Sequence, residues 1–467
     1  MMTRLLLISN DIVDTRMAGP GVRYWEMARA LSGNLDVTLA TPGSSRPGEE
    51  FASQTYVHQQ WDTIEPAIQA ADVLLFDGNL LAEFSQLATC GKPLILEATY
   101  PYSFETLHQF SDHPRAQQMA NFRAKLEITR QVGSAGDFFF CANQRQRDYW
   151  LGVLDVLGRI NPDTYGADGT LYQLIDTVPF GLPSRAPSYS GPVMKGVIPG
   201  ISQSDRVVLW GGGLWQWLDP LSLVRAVAHL AVEYPDLRLV FPATRHPNPL
   251  IAEMPMLKQT LDLSDQLGLT GKVTFFGDWV PYDLWPSYLL EADIGASMHF
   301  DTLETHYAFR TRMLDYIWTG LPMVVTGGDT TSELVTSYDL GSVVPSGDTD
   351  AIATALSRLL STPNLRQAYS QSFERVRPRF TWEKVCEPIA RFCEHPQFAA
   401  DRDPDSGRSM IPAADCGQLR FGSEVPPERD RQQAEIERLT ALVDGYEQGR
   451  FIQLMQRLSR WREKLAV

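Results

Sequence analysis

No stretch of 18 or more apolar residues occurs in the chain, which excludes a membrane-spanning helix. The N-terminal apolar run, Leu5-Leu6-Leu7-Ile8, stops at Ser9-Asn10-Asp11 with no small-residue cleavage site behind it. It predicts a first buried strand rather than a secretion signal. Cysteine is scarce: Cys90, Cys141, Cys386, Cys393 and Cys416 are odd in number and have no metal-ligand spacing. That excludes a disulfide framework, predicts no metal site and suits a reducing cytoplasm. Cys386 and Cys393 fall on one face of a predicted helix, a core-packing pattern. Positive charge is also short, with 41 Lys and Arg against 56 Asp and Glu and a formal net charge of −15. A nucleic-acid partner, which needs a basic footprint, is excluded, although a small anionic ligand needs only local positive charge. Finally, no complete G-x-G-x-x-G with a suitably spaced acidic residue is present, which argues against a dinucleotide cofactor.

What the chain has is an ordinary globular composition, 44% hydrophobic and 21% charged, and a length that at roughly 150 residues per domain fits two or three domains. Short apolar runs alternate with amphipathic stretches. Leu5–Ile8, Val37–Ala40, Asp72–Phe76, Pro93–Leu96 and Phe138–Cys141 are predicted strands, with a helix at Gly21–Leu31 and long helices around 116–131 and 144–158. After a Pro/Gly/Ser-rich junction the pattern restarts. Strands are expected at Arg206–Trp210, Leu237–Phe241, Val273–Phe276, Ile294–Ser297, Met323–Thr326 and Gly341–Val344. Strands apolar throughout and separated by helices indicate parallel sheets covered on both faces. The predicted architecture is α/β, two tandem Rossmann-like domains facing an inter-domain cleft. Residues 1–183 form the first domain and 184–378 the second, and 379–396 is a helix crossing back to the first. Residues 397–430 have linker composition, and 431–467 form an amphipathic helical tail. The end of that tail is basic, which predicts peripheral contact with an anionic membrane surface or self-association through the helix.

Open α/β sheets bind ligands beyond the C-terminal ends of their strands, so three loops entering the cleft carry the chemical information. Ala18-Gly19-Pro20-Gly21-Val22-Arg23 follows the first strand and opens a helix. Gly211-Gly212-Gly213-Leu214-Trp215 follows the second domain's first strand, where glycines allow close passage over a pyrophosphate. The densest runs from His299 to Tyr316, predicted as a loop to His306 and a helix from Tyr307 to Trp318. A diphosphate at that N-terminus meets free amides, with Arg310 and Arg312 adding charge-assisted bonds. Asp315, further along, suits ribose or sugar hydroxyls. The bland reading of the same segment is a helix with ordinary ion pairs such as Arg312 with Asp315.

Several of these segments resemble glycosyltransferase family 4, retaining enzymes of the two-Rossmann GT-B class. They are the Gly-rich loop with Glu26–Leu31, the hinge Val178-Pro179-Phe180-Gly181-Leu182, Phe276-Gly277-Asp278-Trp279-Val280, and Leu314-Asp315 with Gly320-Leu321-Pro322-Met323-Val324-Val325. The resemblance spans about residues 3–396 and implies transfer of a sugar from a nucleotide-diphosphate donor to a glycan or lipid-linked acceptor. It further implies retained configuration and no required cofactor, while the cysteine usage and the basic tail predict a cytoplasmic protein, peripheral to the inner face of the plasma membrane where the tail meets it. A divergent branch, such as serves bacterial polysaccharide biosynthesis, is indicated by the departures. Asp315 stands at the second carboxylate of the family's paired-glutamate motif, but Tyr307 at the first, with Glu304 the nearest upstream carboxylate and His306 beside the position. Gly213 and Leu218 occupy the places of the family's phosphate-binding arginine and lysine. Arg310 and Arg312 are therefore expected to supply that charge.

The expected catalytic set is Glu304, His306 and Asp315. The donor set is Gly212, Gly213, Trp215, Val280, Phe309, Arg310, Thr311, Arg312 and Asp315, and the acceptor side comprises Gly19, Gly21, Arg23, Asp77 and Glu97. Two other functions fit the same residues, a nucleotide-sugar epimerase of this fold and a catalytically inactive nucleotide-sugar-binding or scaffold protein.

Overall fold

The computed structural model describes residues 2–403, apart from 44, 45, 47, 49, 100, 249, 250 and 252. The tail predicted at 431–467 and most of the predicted linker lie outside the described residues. Among the described residues, thirteen strands form two parallel sheets. The first contains β1 (Arg4–Ile8), β2 (Asp36–Pro42), β3 (Ala52–Tyr56), β4 (Val73–Asp77), β5 (Leu94–Glu97), β6 (Phe138–Cys141) and β7 (Ile175–Thr177). Its order is β3-β2-β1-β4-β5-β6-β7. The second contains β8 (Arg206–Trp210), β9 (Leu237–Phe241), β10 (Thr274–Phe276), β11 (Ile294–Ser297), β12 (Met323–Thr326) and β13 (Gly341–Val344), ordered β10-β9-β8-β11-β12-β13. Both sheets reverse direction of winding beside their first strand. The loops after β1 and β8 therefore open at the switch points where α/β sheets bind ligands.

The strands are apolar because both faces are covered. Leu5 to Ile8, Leu74 to Phe76, Leu94 to Leu96 and Val207 to Trp210 are all buried. The first sheet does not end at Phe138–Cys141 as expected: β7 adds one more edge strand beyond it. At the opposite edge β3, Ala-Ser-Gln-Thr-Tyr, is largely polar and partly exposed. No helix of the described residues is long and apolar enough to cross a membrane.

Between the domains, Gly181 packs against Trp382, whose ring a Cβ at that position would meet at 2.5 Å. Leu182 pairs with the chain returning at Phe380–Trp382 through bonds of 2.7 and 3.1 Å. Helices Trp382–Val385 and Glu387–Glu394 then lie on the first domain. There Thr3 bonds the Cys393 carbonyl at 2.8 Å, Phe392 stacks on Phe138, and Cys386 and Cys393 are buried. The linker predicted from 397 does not begin there. Asp401, 0% exposed, forms a two-pronged ion pair with Arg159 at 2.6 and 3.1 Å, and Arg402 lies 3.1 Å from Asp137. These buried charges dock residues 397–403 on the first domain.

Candidate active site

The two switch points face one cleft of about 420 Å³. Its C-terminal wall is built on a tyrosine. The Tyr316 hydroxyl lies 3.0 Å from the carbonyls of Leu209 and Ala296 and accepts the Gly211 amide at 2.7 Å. A Cβ at Gly295 would stand 2.6 Å from the Tyr316 ring, and one at Gly211 2.9 Å from its hydroxyl. Glycine at both positions lets the ring sit under the turn after β8 and fixes that turn to helix Arg312–Thr319. Gly212 takes φ +91°, a left-handed conformation that favours glycine.

Helix Arg312–Thr319 starts later than the sequence pattern predicts. A short helix, Leu303–Tyr307, comes first, Ala308 is extended at φ −64° and ψ 152°, and the second helix is strongly amphipathic with Gly320 closing it at φ +64°. The chain between them is held by distant partners. The N-terminal domain's Asn143 and Gln146 side-chain amides donate to the Tyr307 carbonyl at 3.1 and 2.8 Å, and Arg145 donates to His306 O at 2.9 Å. The Arg310 amide donates to Thr331 Oγ1 at 3.3 Å. The amides of Phe309, Thr311 and Arg312, residues that all line the cleft, make no backbone hydrogen bond among the described residues, the orphan donors expected near a helix start.

The two arginines expected to bind phosphate have different fates. Arg310 is 8% exposed and absent from the cleft lining. Its guanidinium grips Glu304, 6% exposed, with bonds of 2.9 and 2.7 Å, and lies 3.7 Å from buried Asp329. Each of these two expected site residues therefore consumes the other. Beside them His299 is also buried, its imidazole held down to about 4 by burial and by Arg310, so it is neutral and acts as packing. Arg312, by contrast, lines the cleft. Nη2 donates to Gly213 O at 3.1 Å, the guanidinium lies 4.7 Å from the Trp210 ring centre, and Nη1 has no hydrogen-bond partner. Burial lowers it to about 10, which leaves it charged at neutral pH. The ordinary Arg312–Asp315 ion pair is not formed. Asp315 instead accepts from Trp285 Nε1 at 2.9 Å, and burial raises its carboxyl to about 7.

Gly212, Gly213, Trp215, Val280, Phe309 and Thr311 join Arg312 and Asp315 on the cleft wall, and Gly19, Arg23, Asp77 and Glu97 line the opposite side. Gly21 does not: a Cβ there would meet Ile12 O at 2.4 Å, so this glycine serves close packing of the preceding loop. His306 is exposed outside the cleft. Tyr307, at the place of the family's first carboxylate, turns away to stack on Phe104 at 5.6 Å, with Tyr149 against its edge. The lining also includes residues outside the expected site set, among them Glu105, His246, Trp279 and Trp285. Trp279 lies within the quoted Phe276–Val280 landmark. The others sit in segments with no motif. Burial and the charge of Glu304 push Glu105 up to about 8.

Residues 205–362 match the family model described as Glycosyl transferases group 1. D-inositol 3-phosphate glycosyltransferase of Corynebacterium urealyticum is 27% identical over 190 residues, 41% of this chain and 43% of that protein. The chain thus matches less than half the length of this curated relative. Among solved structures, Anabaena HepE in complex with UDP and glucose aligns with TM-score 0.61 at 13% identity, covering 85% of this chain and 100% of that one. Sucrose-phosphate synthase from Thermosynechococcus elongatus gives TM-score 0.58 at 15% identity, with 84% and 98% covered. With its two facing Rossmann-like domains, the chain has the GT-B fold, and its residues 205–362 match the Glycosyl transferases group 1 model.

Proposed function

We propose that the protein is a glycosyltransferase. It takes a sugar from a nucleoside-diphosphate donor on the C-terminal wall of the cleft and passes it, with retained configuration, to a hydroxyl of a glycan or lipid-linked acceptor on the N-terminal wall. The observation that carries this reading is Arg312, a cleft-lining residue whose buried Nη1 has no hydrogen-bond partner, at a helix start where the Thr311 and Arg312 amides make no backbone hydrogen bond among the described residues. When the bond from sugar C1 to the diphosphate breaks, negative charge grows on the leaving oxygen. Donors fixed beforehand in a site of low dielectric stabilise that charge without reorganising. The departing oxygen then takes the acceptor hydroxyl's proton on the same face of the sugar, so the step needs no protein base. Asp315, with Trp285 holding one oxygen, has a second oxygen for donor hydroxyls.

The Anabaena neighbour contains UDP and glucose, and an Escherichia coli neighbour is bound with UDP-2-fluoro glucose, so UDP-glucose is the first donor to test. The experiment is incubation of the full chain with a panel of nucleotide sugars, following nucleoside diphosphate release and assigning the product anomer by NMR. Binding without turnover would favour the inactive-binder reading, which the displaced Tyr307 supports. Epimerised sugar formed without acceptor would favour the epimerase.

A further inference from the structure

The two walls of the cleft differ in charge. Opposite Arg312, the N-terminal wall presents Asp77, Glu97 and Glu105. Asp77 and Glu97 are register partners at the ends of β4 and β5, adjacent strands about 4.8 Å apart. Both carboxylates are fixed, and of the two only Glu97 forms an ion pair among the described residues, with Arg23. Asn79 donates to Asp77 through its backbone at 2.7 Å and its side chain at 2.6 Å, and the Thr99 hydroxyl donates to Glu97. The cation lining this wall is Arg23, 4% exposed. Its Nε lies 2.7 Å from Glu97 Oε1 and its Nη2 donates to Val178 O at 2.8 Å. Its Nη1 is buried with no hydrogen-bond partner. Nearby Lys125 is held on Asn79 Oδ1 at 3.1 Å and over the Tyr102 ring. The wall therefore offers more carboxyl groups than cations, together with one unpartnered N–H.

We propose that the acceptor ring seated on this wall is an uncharged polyol, a non-phosphorylated sugar or cyclitol held through neighbouring hydroxyls. The inference rests on the glycosyltransferase reading and specifies its acceptor. A hydroxyl both donates and accepts, so adjacent hydroxyls can satisfy Asp77 and Glu97 while receiving the bond from Arg23 Nη1. A phosphate or carboxylate only accepts. It would be brought against two carboxylates whose neighbouring guanidinium is already paired, an arrangement that rejects it by repulsion and unpaired desolvation. An ammonium only donates, leaving Arg23 Nη1 unpaired beside a second positive charge. Burial and Glu97 raise Asp77 to about 6, in keeping with negative charge crowded at this wall.

The test uses the full chain with a nucleotide sugar that it hydrolyses, following nucleoside diphosphate release above that background. Paired acceptors are supplied: glucose, glucose 6-phosphate and glucosamine, then myo-inositol and its monophosphate. At least one neutral member should stimulate release with kcat/KM about tenfold or more above its charged partners, and Asp77→Asn should narrow the gap to the phosphorylated partner. A charged partner equal to or better than the neutral one overturns the proposal. So does failure of every neutral polyol while the donor is still hydrolysed. Nucleotide binding by calorimetry is read on the same samples. Failure of the donor site appears as lost binding, whereas failure of the acceptor inference leaves binding intact.

Discussion

Replacing Arg312 with methionine keeps much of the side chain's volume and removes its charge, and it should weaken nucleotide binding by a calculable amount. Nη2 is already engaged with Gly213 O at 3.1 Å, so the guanidinium has one free arm, Nη1, rather than a two-pronged fork. One hydrogen bond to a charged group contributes about 1.5–3 kcal/mol. At about 1.4 kcal/mol per tenfold, Kd for the nucleoside diphosphate should rise by roughly 10- to 150-fold. Titration calorimetry of the full chain with UDP, GDP and ADP, taking the base that binds best, measures this directly. Circular dichroism checks that the fold persists. The variant loses one hydrogen bond and the guanidinium's contact with the Trp210 ring, so its melting temperature should fall modestly. A change in Kd below about threefold, with the fold intact, would refute the assignment of Arg312 to the phosphate.

Arg310→Ala should behave oppositely. It strands Glu304 at 6% exposure, and breaking one side of a buried pair costs about 3–5 kcal/mol, so urea unfolding should show a large loss of stability. A variant of unchanged stability would contradict the buried pairing. Asp315 carries a pH signature. Its carboxyl is raised from about 3.9 to about 7, so the folded state retains a proton that the unfolded chain releases. Stability contributed at this site is therefore present at low pH and lost as pH rises from about 4 to about 7. Asp315→Asn should flatten that slope in parallel urea titrations, and identical slopes would count against the raised carboxyl. Gly212→Ala, at φ +91°, should cost about 1–2 kcal/mol and lower the melting temperature, whereas a neutral substitution would show that the turn relaxes. A chain ending at 396 should unfold at lower denaturant than one ending at 403, because it loses Asp401 from buried Arg159. Equal midpoints would mean that this contact does not hold the end of the chain.

The parts of the fold legible in the sequence are those whose signal is local. Leu5–Ile8 and Val207–Trp210 are apolar because a sheet covered on both faces leaves no polar side. Strand β3 lacks that signal because it lies at an edge with side chains toward water, and β7, three residues long, is too short to show a pattern. The candidate site was legible as a set of loops and not as a set of side chains. Residues 307–318 have helical spacing, yet the chain turns out at Ala308, where Asn143, Gln146 and Thr331 hold the segment. Those partners lie far away along the chain, and no local pattern encodes them. Arg310 and Arg312 make the same point. Two residues apart and alike in chemistry, they are separated in role by one neighbour, Glu304, which takes the charge of the first. Glu105 and His246 reach the cleft from segments without motif, so only the tertiary structure brings them to it.

A crystal structure of the full chain with bound nucleoside diphosphate shows directly where the diphosphate sits. The phosphates should lie within hydrogen-bonding reach of Arg312 Nη1 and the amides of Phe309, Thr311 or Arg312, beside the turn at Gly212 and Gly213. Phosphates bound elsewhere, with Arg312 Nη1 still unpartnered, would contradict that placement.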